Sequence, residues 1–205
     1  MPPNKPLSRE RVLTAAVRIV DDEGLEALTM RRLGQALGVE AMSLYRHVPG
    51  RAALLDGIHE MILSELPRSR TSEDWIASAR AQARAFRRVL LAHPNALVLF
   101  ATRPAVTPAS LRHVDTGLRI LRRAGFSIPD AIAAFQTLVT FVIGHALSTH
   151  AVVPHEERSA PDYVNLNELT ALAEVAPFLK DSDVDAEFEF GLDAILRGLE
   201  AKLGT

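Results

Sequence analysis

Apolar residues recur at helical spacing along almost the whole chain. After Ser8, a side chain suited to capping a helix, Val12, Ala15, Ala16, Ile19 and Val20 follow the i, i+3, i+4, i+7, i+8 rule, and Gly24 stops the run. Thr29 can cap a second helix carrying Leu33, Ala36 and Leu37, closed by Gly38. A third helix is expected from Glu40 to His47, where Pro49 and Gly50 break it, and a fourth from Arg51 to Leu66. Longer helices follow. Ile76, Ala79, Ala83, Phe86 and Leu90 make one stripe, ended by His93, Pro94 and Asn95; Leu111, Val114, Leu118 and Leu121 make another, ended by Gly125. Ser127, with Asp130 three residues on and Pro129 in the first turn, opens a helix of about 20 residues that is apolar around its circumference. Residues 153–168 read as a polar loop, and Phe188, Leu192, Ile195, Leu199 and Leu203 line one side of a C-terminal helix. With no repeat and no strand of useful length, the expected fold class is all-α.

The two helices between Thr29 and His47 pose a problem, because isolated helices shorter than about 12 to 15 residues are marginal in water. Their neighbours must hold them. A capped helix, a short turn at Gly38 and a second helix form a helix-turn-helix pattern, in which glycine supplies the left-handed backbone and Leu33, Leu37, Val39 and Leu44 a small core. The second helix of such a unit enters the DNA major groove, about 12 Å wide, with its N-terminal residues against base edges. Ala41, Met42 and Ser43 then face bases, while Tyr45, His47 and Arg51 suit phosphate oxygens. Arg31 can reach a guanine, for which a bidentate guanidinium is the best single fit. Thr29 and Arg46 complete the expected DNA-binding set. A bland alternative stands beside each: His47 as a helix C-cap, Arg46 as a solvated charge, and the whole hairpin as a piece of an ordinary helical protein.

Charge does not decide between these. Net charge is −2, with 10 Lys and Arg against 9 Asp and Glu in residues 1–70 and 13 against 16 beyond, so any DNA contact depends on where individual arginines sit. The absence of Cys removes disulfides and thiolate metal sites, and "MPPNKPLSRERV" lacks the apolar run of a signal peptide; a reducing, cytoplasmic setting is expected. The most apolar segment, 131–148, is interrupted by Gln136, Thr137, Thr140 and His145, so no membrane span is expected.

The stretch "LTMRRLGQALGVEAMSLYRHVPGRAALLDGI", residues 28–58, resembles the DNA-binding domain of the tetracycline-repressor (TetR) family: a Thr-capped helix, Leu-Gly-Val at the turn, Leu-Tyr-x-His ending the recognition helix, and a basic residue opening the next. Weaker likeness continues at "FRRVLL" (86–91), "TRP" (102–104), "AGFSIPDAI" (124–132) and "GLDAILRGLE" (191–200), which resemble the ligand-binding part of the tetracycline repressors themselves. The resemblance implies a helix-turn-helix domain over residues 1–50, a connecting helix over 51–66, and a ligand-binding and dimerisation domain over 67–205. It also implies a homodimer joined through a four-helix bundle of the helices at 128–150 and 184–203, binding a double-stranded operator with inverted repeats and released by a small molecule. The apolar C-terminal stripe suits that dimer, and suits equally a helix buried within one chain.

The same comparison gives the pocket positions. Gln82, Phe86 and Thr102 match, and Pro104 ends the matching turn; but Leu99 stands where the tetracycline repressors have a metal-coordinating His, Thr140 where they have another His, Ser148 where they have a Glu, and Pro67 near a further His. The implied pocket, with Leu99 and Thr140 in it, lacks the grip for metal-bound tetracycline and suits a hydrophobic or aromatic effector held by few polar groups. No metal and no other cofactor is expected. Asp181, Asp183 and Asp185 begin like a calcium loop, but Ala186 and Leu192 occupy its glycine and glutamate positions, so an acidic helix start is the better reading. His145, His150 and His155 lie five apart, off any single helical face. No phosphate loop, HExxH or GxSxG motif occurs, so no enzyme is expected. The rival that remains is a helical adaptor using the 41–47 helix against a protein.

Overall fold

The computed structural model describes residues 6–67, 74–150, 169–179 and 183–203. All its regular elements are helical: α1 (Arg9–Glu23), α2 (Met30–Leu37), α3 (Ala41–Leu44), α4 (Arg51–Leu63), α5 (Trp75–Ala92), α6 (Leu97–Thr102), α7 (Pro108–Arg123), α8 (Ile128–His150), α9 (Thr170–Leu179) and α10 (Val184–Leu203), with single 3-10 turns at Leu25–Ala27 and Pro94–Ala96. There is no strand among the described residues. The chain divides into two units, residues 1–147 and 148–205.

Caps set the ends of the first helices. The Ser8 hydroxyl accepts the Arg11 N–H at 3.2 Å, and that of Thr29 accepts the Arg32 N–H at 3.0 Å. After α2 the chain turns through Gly38 in the left-handed region (φ 67°, ψ 34°). There the Gly38 N–H bonds the Gln35 carbonyl at 3.2 Å and the Val39 N–H bonds that of Gly34 at 3.0 Å, which closes a Schellman turn. The expected third helix is shorter than its sequence pattern. Its α-helical part ends at Leu44, whose carbonyl takes both the His47 and Val48 N–H groups at 2.9 Å. Pro49 then bars continuation beyond Val48, since the residue before proline avoids the helical region. Helix α4 likewise ends at Leu63, and tighter i→i+3 bonds from Glu65 and Leu66 finish its run.

Burial welds these pieces together. Val12, Ala16 and Val20 of α1, Leu28, Leu33 of α2, Leu44 and Ile58 of α4 are fully buried, and α1 packs on both α2 and α4. Two glycines permit the closeness. A Cβ on Gly57 would lie 2.4 Å from a Leu13 methyl, and one on Gly34 would lie 2.8 Å from the Val39 carbonyl oxygen and 3.3 Å from the Ala41 nitrogen.

Beyond α4, Asp74 caps α5 by accepting the Ala77 N–H at 3.0 Å, and Thr107 and Ser110 form a reciprocal capping box at the start of α7. Helix α6 has no counterpart in the sequence pattern, because Leu97, Val98, Leu99 and Phe100 run without a period. In α7 the stripe departs from expectation: Leu111 is exposed, and Ser110, Ile120 and Leu121 are buried. Ser127 caps α8 by accepting the Asp130 N–H at 3.2 Å. By length and composition α8 is the one helix among the described residues able to cross a membrane, yet Gln136, Thr137 and Thr140 are exposed along it. In the second unit Asp183 opens α10, its carboxylate accepting the Asp185 and Ala186 N–H groups at 2.9 and 3.0 Å. Residues 153–168, including His155, lie outside the described residues, as does Asp181.

The two turn glycines should therefore respond differently to substitution. Gly38→Ala meets nothing within 4 Å and should lower the unfolding free energy by about 1 to 2 kcal/mol through backbone strain alone. Gly34→Val, pressed on backbone atoms that cannot yield, should cost more than twice as much. Equal losses in urea unfolding would contradict this account of the turn.

Candidate nucleic-acid interface and its link to the helical body

The residues expected to meet DNA sit at the ends of three short elements. Arg31 lies in the first turn of α2, after the capping Thr29; Ala41, Met42 and Ser43 form α3; Tyr45, Arg46 and His47 occupy the turn after it; Arg51 opens α4. Met42 is 77% exposed and Tyr45 44%, while Leu44 between them is fully buried and holds the segment down. The Ser43 hydroxyl donates to the Glu40 carbonyl at 2.6 Å, which leaves it an acceptor toward solvent. Arg51 departs from expectation in part. Its Nη1 donates to the Leu28 carbonyl at 2.5 Å, so one edge of the guanidinium ties the start of α4 to the start of α2. The side chain that opens α4 is thereby anchored just before the cap of α2, and each helix start contributes the positive end of its dipole.

Neighbouring arginines divide into two kinds. Arg9 pairs with Glu60 at 3.0 Å, and Arg32 is gripped by Glu23, which holds the Glu23 carboxyl below its ordinary range and the guanidinium above. Arg31 and Arg46 are exposed with no hydrogen bond or ion pair among the described residues. The surface that carries Met42 and Tyr45 therefore carries positive charge not neutralised among the described residues.

Helix α4 leads from this surface into the body. Arg103, directly after α6, donates from Nε and Nη2 to one Asp56 oxygen at 3.0 and 2.6 Å, and Nη2 reaches the Ala52 carbonyl at 3.4 Å. One turn further along α4, the buried His59 ring lies against Phe100 of α6 with centroids 4.5 Å apart, and Phe100 meets Phe86 of α5 edge-on at 5.9 Å. Burial pushes the His59 pKa down; Asp56 pulls it back and Arg103 adds to the fall. Through Phe86 and Phe100, α5, which carries Gln82 one turn before Phe86, meets α6, which carries Leu99 and Thr102. Leu99 is 2% exposed. Thr102 and Pro104 are exposed, and the Thr102 hydroxyl donates to the Val98 carbonyl at 2.7 Å. Thr140 is not drawn in: it is exposed on α8, without a hydrogen bond or ring contact to that group among the described residues. No cluster of three metal-ligating side chains occurs among the described residues.

A second joint lies at the end of α5. The buried His93 ring faces Asp21 of α1 through Nδ1 at 2.9 and 3.0 Å, and Glu65, just past α4, through Nε2 at 3.2 Å. Asn95 adds a bond to the Asp21 carbonyl at 2.9 Å. Carboxylates only accept, so this arrangement favours the charged ring, in which both nitrogens donate. Burial opposes that charge, but the two carboxylates outweigh it and raise the pKa above the ordinary histidine range.

Sequence reasoning passed over Asp56, Arg103, His59 and His93. Each acts on a partner at least 28 residues away, and long-range pairing has no periodic signature. The only local cue was the Thr-Arg-Pro triplet, whose middle residue carries the ion pair.

Comparison with known proteins extends this geometry. The family described as "Bacterial regulatory proteins, tetR family" matches residues 12–58, and that described as "Tetracyclin repressor-like, C-terminal domain" matches 66–203. The class C tetracycline repressor of Escherichia coli is 35% identical over 203 residues, 95% of this chain and 91% of that protein. The crystal structure of apo ActR from Streptomyces coelicolor superposes with a TM-score of 0.84 at 30% identity, covering 97% of each chain. ActR in complex with actinorhodin gives 0.83 at 29% identity, again covering 97% of each chain.

The His93 joint makes a pH-dependent prediction. A raised folded-state pKa stabilises fully below the ordinary histidine value and less as pH rises through the folded value. His93→Gln should cost about 1 to 3 kcal/mol between about pH 5 and 6.5, and the gap to wild type should narrow at higher pH. A gap independent of pH in denaturant unfolding would remove the imidazolium from this joint.

Proposed function

Because the chain belongs to the tetracycline-repressor family of transcriptional regulators, we propose that it is a repressor that binds an inverted-repeat operator as a homodimer and is released by a hydrophobic or aromatic effector. Residues 1–50 serve as the reader, 51–66 as the connecting helix, and 67–205 as the effector and dimerisation region. The observation that carries this reading is the continuity of α4. Arg51 at its start is bonded beside the first residues of α2, and Asp56, just over a turn on, is held by Arg103 at the end of α6. A displacement of α6 therefore reaches the reading surface through one rigid element.

Ala41, Met42 and Ser43 face base edges in the major groove, with the exposed Met42 side chain suited to thymine methyl groups. Arg31, unengaged among the described residues, reads a guanine. Thr29, Tyr45, Arg46, His47 and the remaining donors of Arg51 hold phosphates and so set register without reading sequence. Helices α8 and α10 pair with those of a second copy. The exposed small and polar side chains Ala133, Thr137, Thr140 and Gly144 on α8, and Phe190, 78% exposed on α10, suit such a bundle. Dimerisation places two recognition helices about 34 to 36 Å apart, one turn of DNA.

The effector binds among Gln82, Phe86, Leu99 and Thr102, with Pro104 ending the turn that moves; Thr140, expected among them, is exposed on α8 and suits the dimer face instead. The apolar Leu99 argues against metal-bound tetracycline. Actinorhodin bound to the similar ActR supports an organic ligand in this region. To weaken operator binding 100-fold, the effector needs a preference of only about 2.7 kcal/mol for the conformation that does not fit DNA.

Selection of random duplexes on the purified protein should enrich an inverted repeat with half-sites one helical turn apart. Arg31→Ala should relax one base pair per half-site by about 1 to 3 kcal/mol. Tyr45→Ala and Arg51→Ala should weaken all sequences alike, the latter lowering the salt slope by about one unit. No enrichment from protein stripped of ligand by refolding would favour the helical adaptor. With an operator and effector in hand, Arg103→Ala should collapse the ratio of operator affinities without and with effector toward one. An undiminished ratio would place the coupling elsewhere.

A further inference from the structure

We infer that His59 is the hydrogen-bonding anchor of the effector site, and that the molecule it takes is a neutral aromatic bearing a hydroxyl group. The inference rests on the reading of this chain as an effector-released regulator and adds a ligand class and a residue that the family resemblance does not supply.

His59 is 6% exposed, and its ring nitrogens have no hydrogen-bond partner among the described residues. Neither nitrogen is among the fully enclosed polar atoms of the described residues, so each opens to space from which solvent or a ligand can supply the missing hydrogen bond. The surroundings specify what can. One face of the imidazole is covered by Phe100, centroids 4.5 Å apart, and Phe100 is braced by Phe86; both rings make a wall for a flat apolar molecule. The charged groups acting on His59 are Asp56 and Arg103, and these already neutralise each other at 2.6 Å. A ligand carrying net charge would find no counter-ion there. Burial also keeps the imidazole neutral, with one donor nitrogen and one acceptor nitrogen. A hydroxyl on an aromatic ring matches it, since it can donate to one nitrogen or accept from the other.

Position on the helix gives this contact a consequence. His59 and Asp56 are three residues apart and share one face of α4, so a ligand pulling on His59 acts beside the ion pair that ties α4 to α6. The substitution pattern fits as well. Leu99 on α6 stands where the tetracycline repressors carry a histidine, while the imidazole here comes from α4 and packs on Phe100, the residue after Leu99. The polar grip has moved from one helix to the other, and with it from a metal chelate to a neutral hydroxyl.

The test is calorimetric titration of the full chain with 1-naphthol and with 1-methoxynaphthalene, which differ only in the hydroxyl hydrogen and its methyl replacement. Wild type should bind the naphthol at least about tenfold more tightly. His59→Phe, which keeps a stacked ring but no nitrogen, should lose that preference; His59→Gln, which keeps a donor and an acceptor, should retain part of it. In wild type, the His59 ring nitrogen resonances should shift on adding naphthol and stay in place with the ether, a readout that needs no variant to fold. Equal binding of the two probes, no binding of either, or a preference that survives in His59→Phe would overturn the assignment. These measurements contain no DNA, so failure of the regulator reading would show separately, as an operator selection without enrichment.

Discussion

The close approach of α1 and α4 constrains everything else in the first unit. Gly57 has no side chain, Leu13 takes the space, and the fully buried Ile58 and Val12 lie beside that contact on the same two helices. Because α2 and α3 are too short to stand alone, they depend on this pair: Leu33 and Leu44 are both fully buried and would be exposed without it. A larger residue at 57 would force Leu13 from its site and disturb the base on which the recognition turn rests. The same helix packs on α5, α6 and α7, so a shift at either end is transmitted by packed side chains rather than by a flexible linker.

Electrostatics then sorts surfaces by use. Arg9, Arg32 and Arg103 are neutralised by Glu60, Glu23 and Asp56, pairs that position helices. Arg31 and Arg46 lack such partners among the described residues. In a chain of net charge −2, a surface of unpaired positive charge arises from this selective pairing and not from an excess of basic residues. The buried His93 imidazolium between Asp21 and Glu65 is a different device. It joins α1, the end of α4 and the end of α5 in one charged cluster, and so fixes how the reading helices sit on those that follow.

Family membership accounts for the shared architecture, and the departures account for what is particular. Leu99, buried on α6, is the apolar side chain at the position to which the resemblance attaches a metal-coordinating histidine. His59, stacked on Phe100, returns a polar group to the same neighbourhood from α4. The ion pair of Asp56 with Arg103 lies one turn away on the same helix.

The sequence by itself determined the helical class, the caps at Ser8, Thr29 and Ser127, the left-handed turn at Gly38, and the short polar-tipped helix after it, because caps, glycine turns and helical periodicity are local properties. It also determined that Leu99 breaks the tetracycline-repressor pattern. Tertiary structure alone decided the rest. Helix α6 was hidden by an apolar run without period, and the exposure of Leu111 by which neighbours reached that face. Gly34 and Gly57 gain their meaning only when two backbones approach. Asp56 with Arg103, His59 with Phe100, and His93 with Asp21 and Glu65 are contacts between residues far apart in the chain. Periodicity says which face of a helix is apolar, and only packing says what that face will touch.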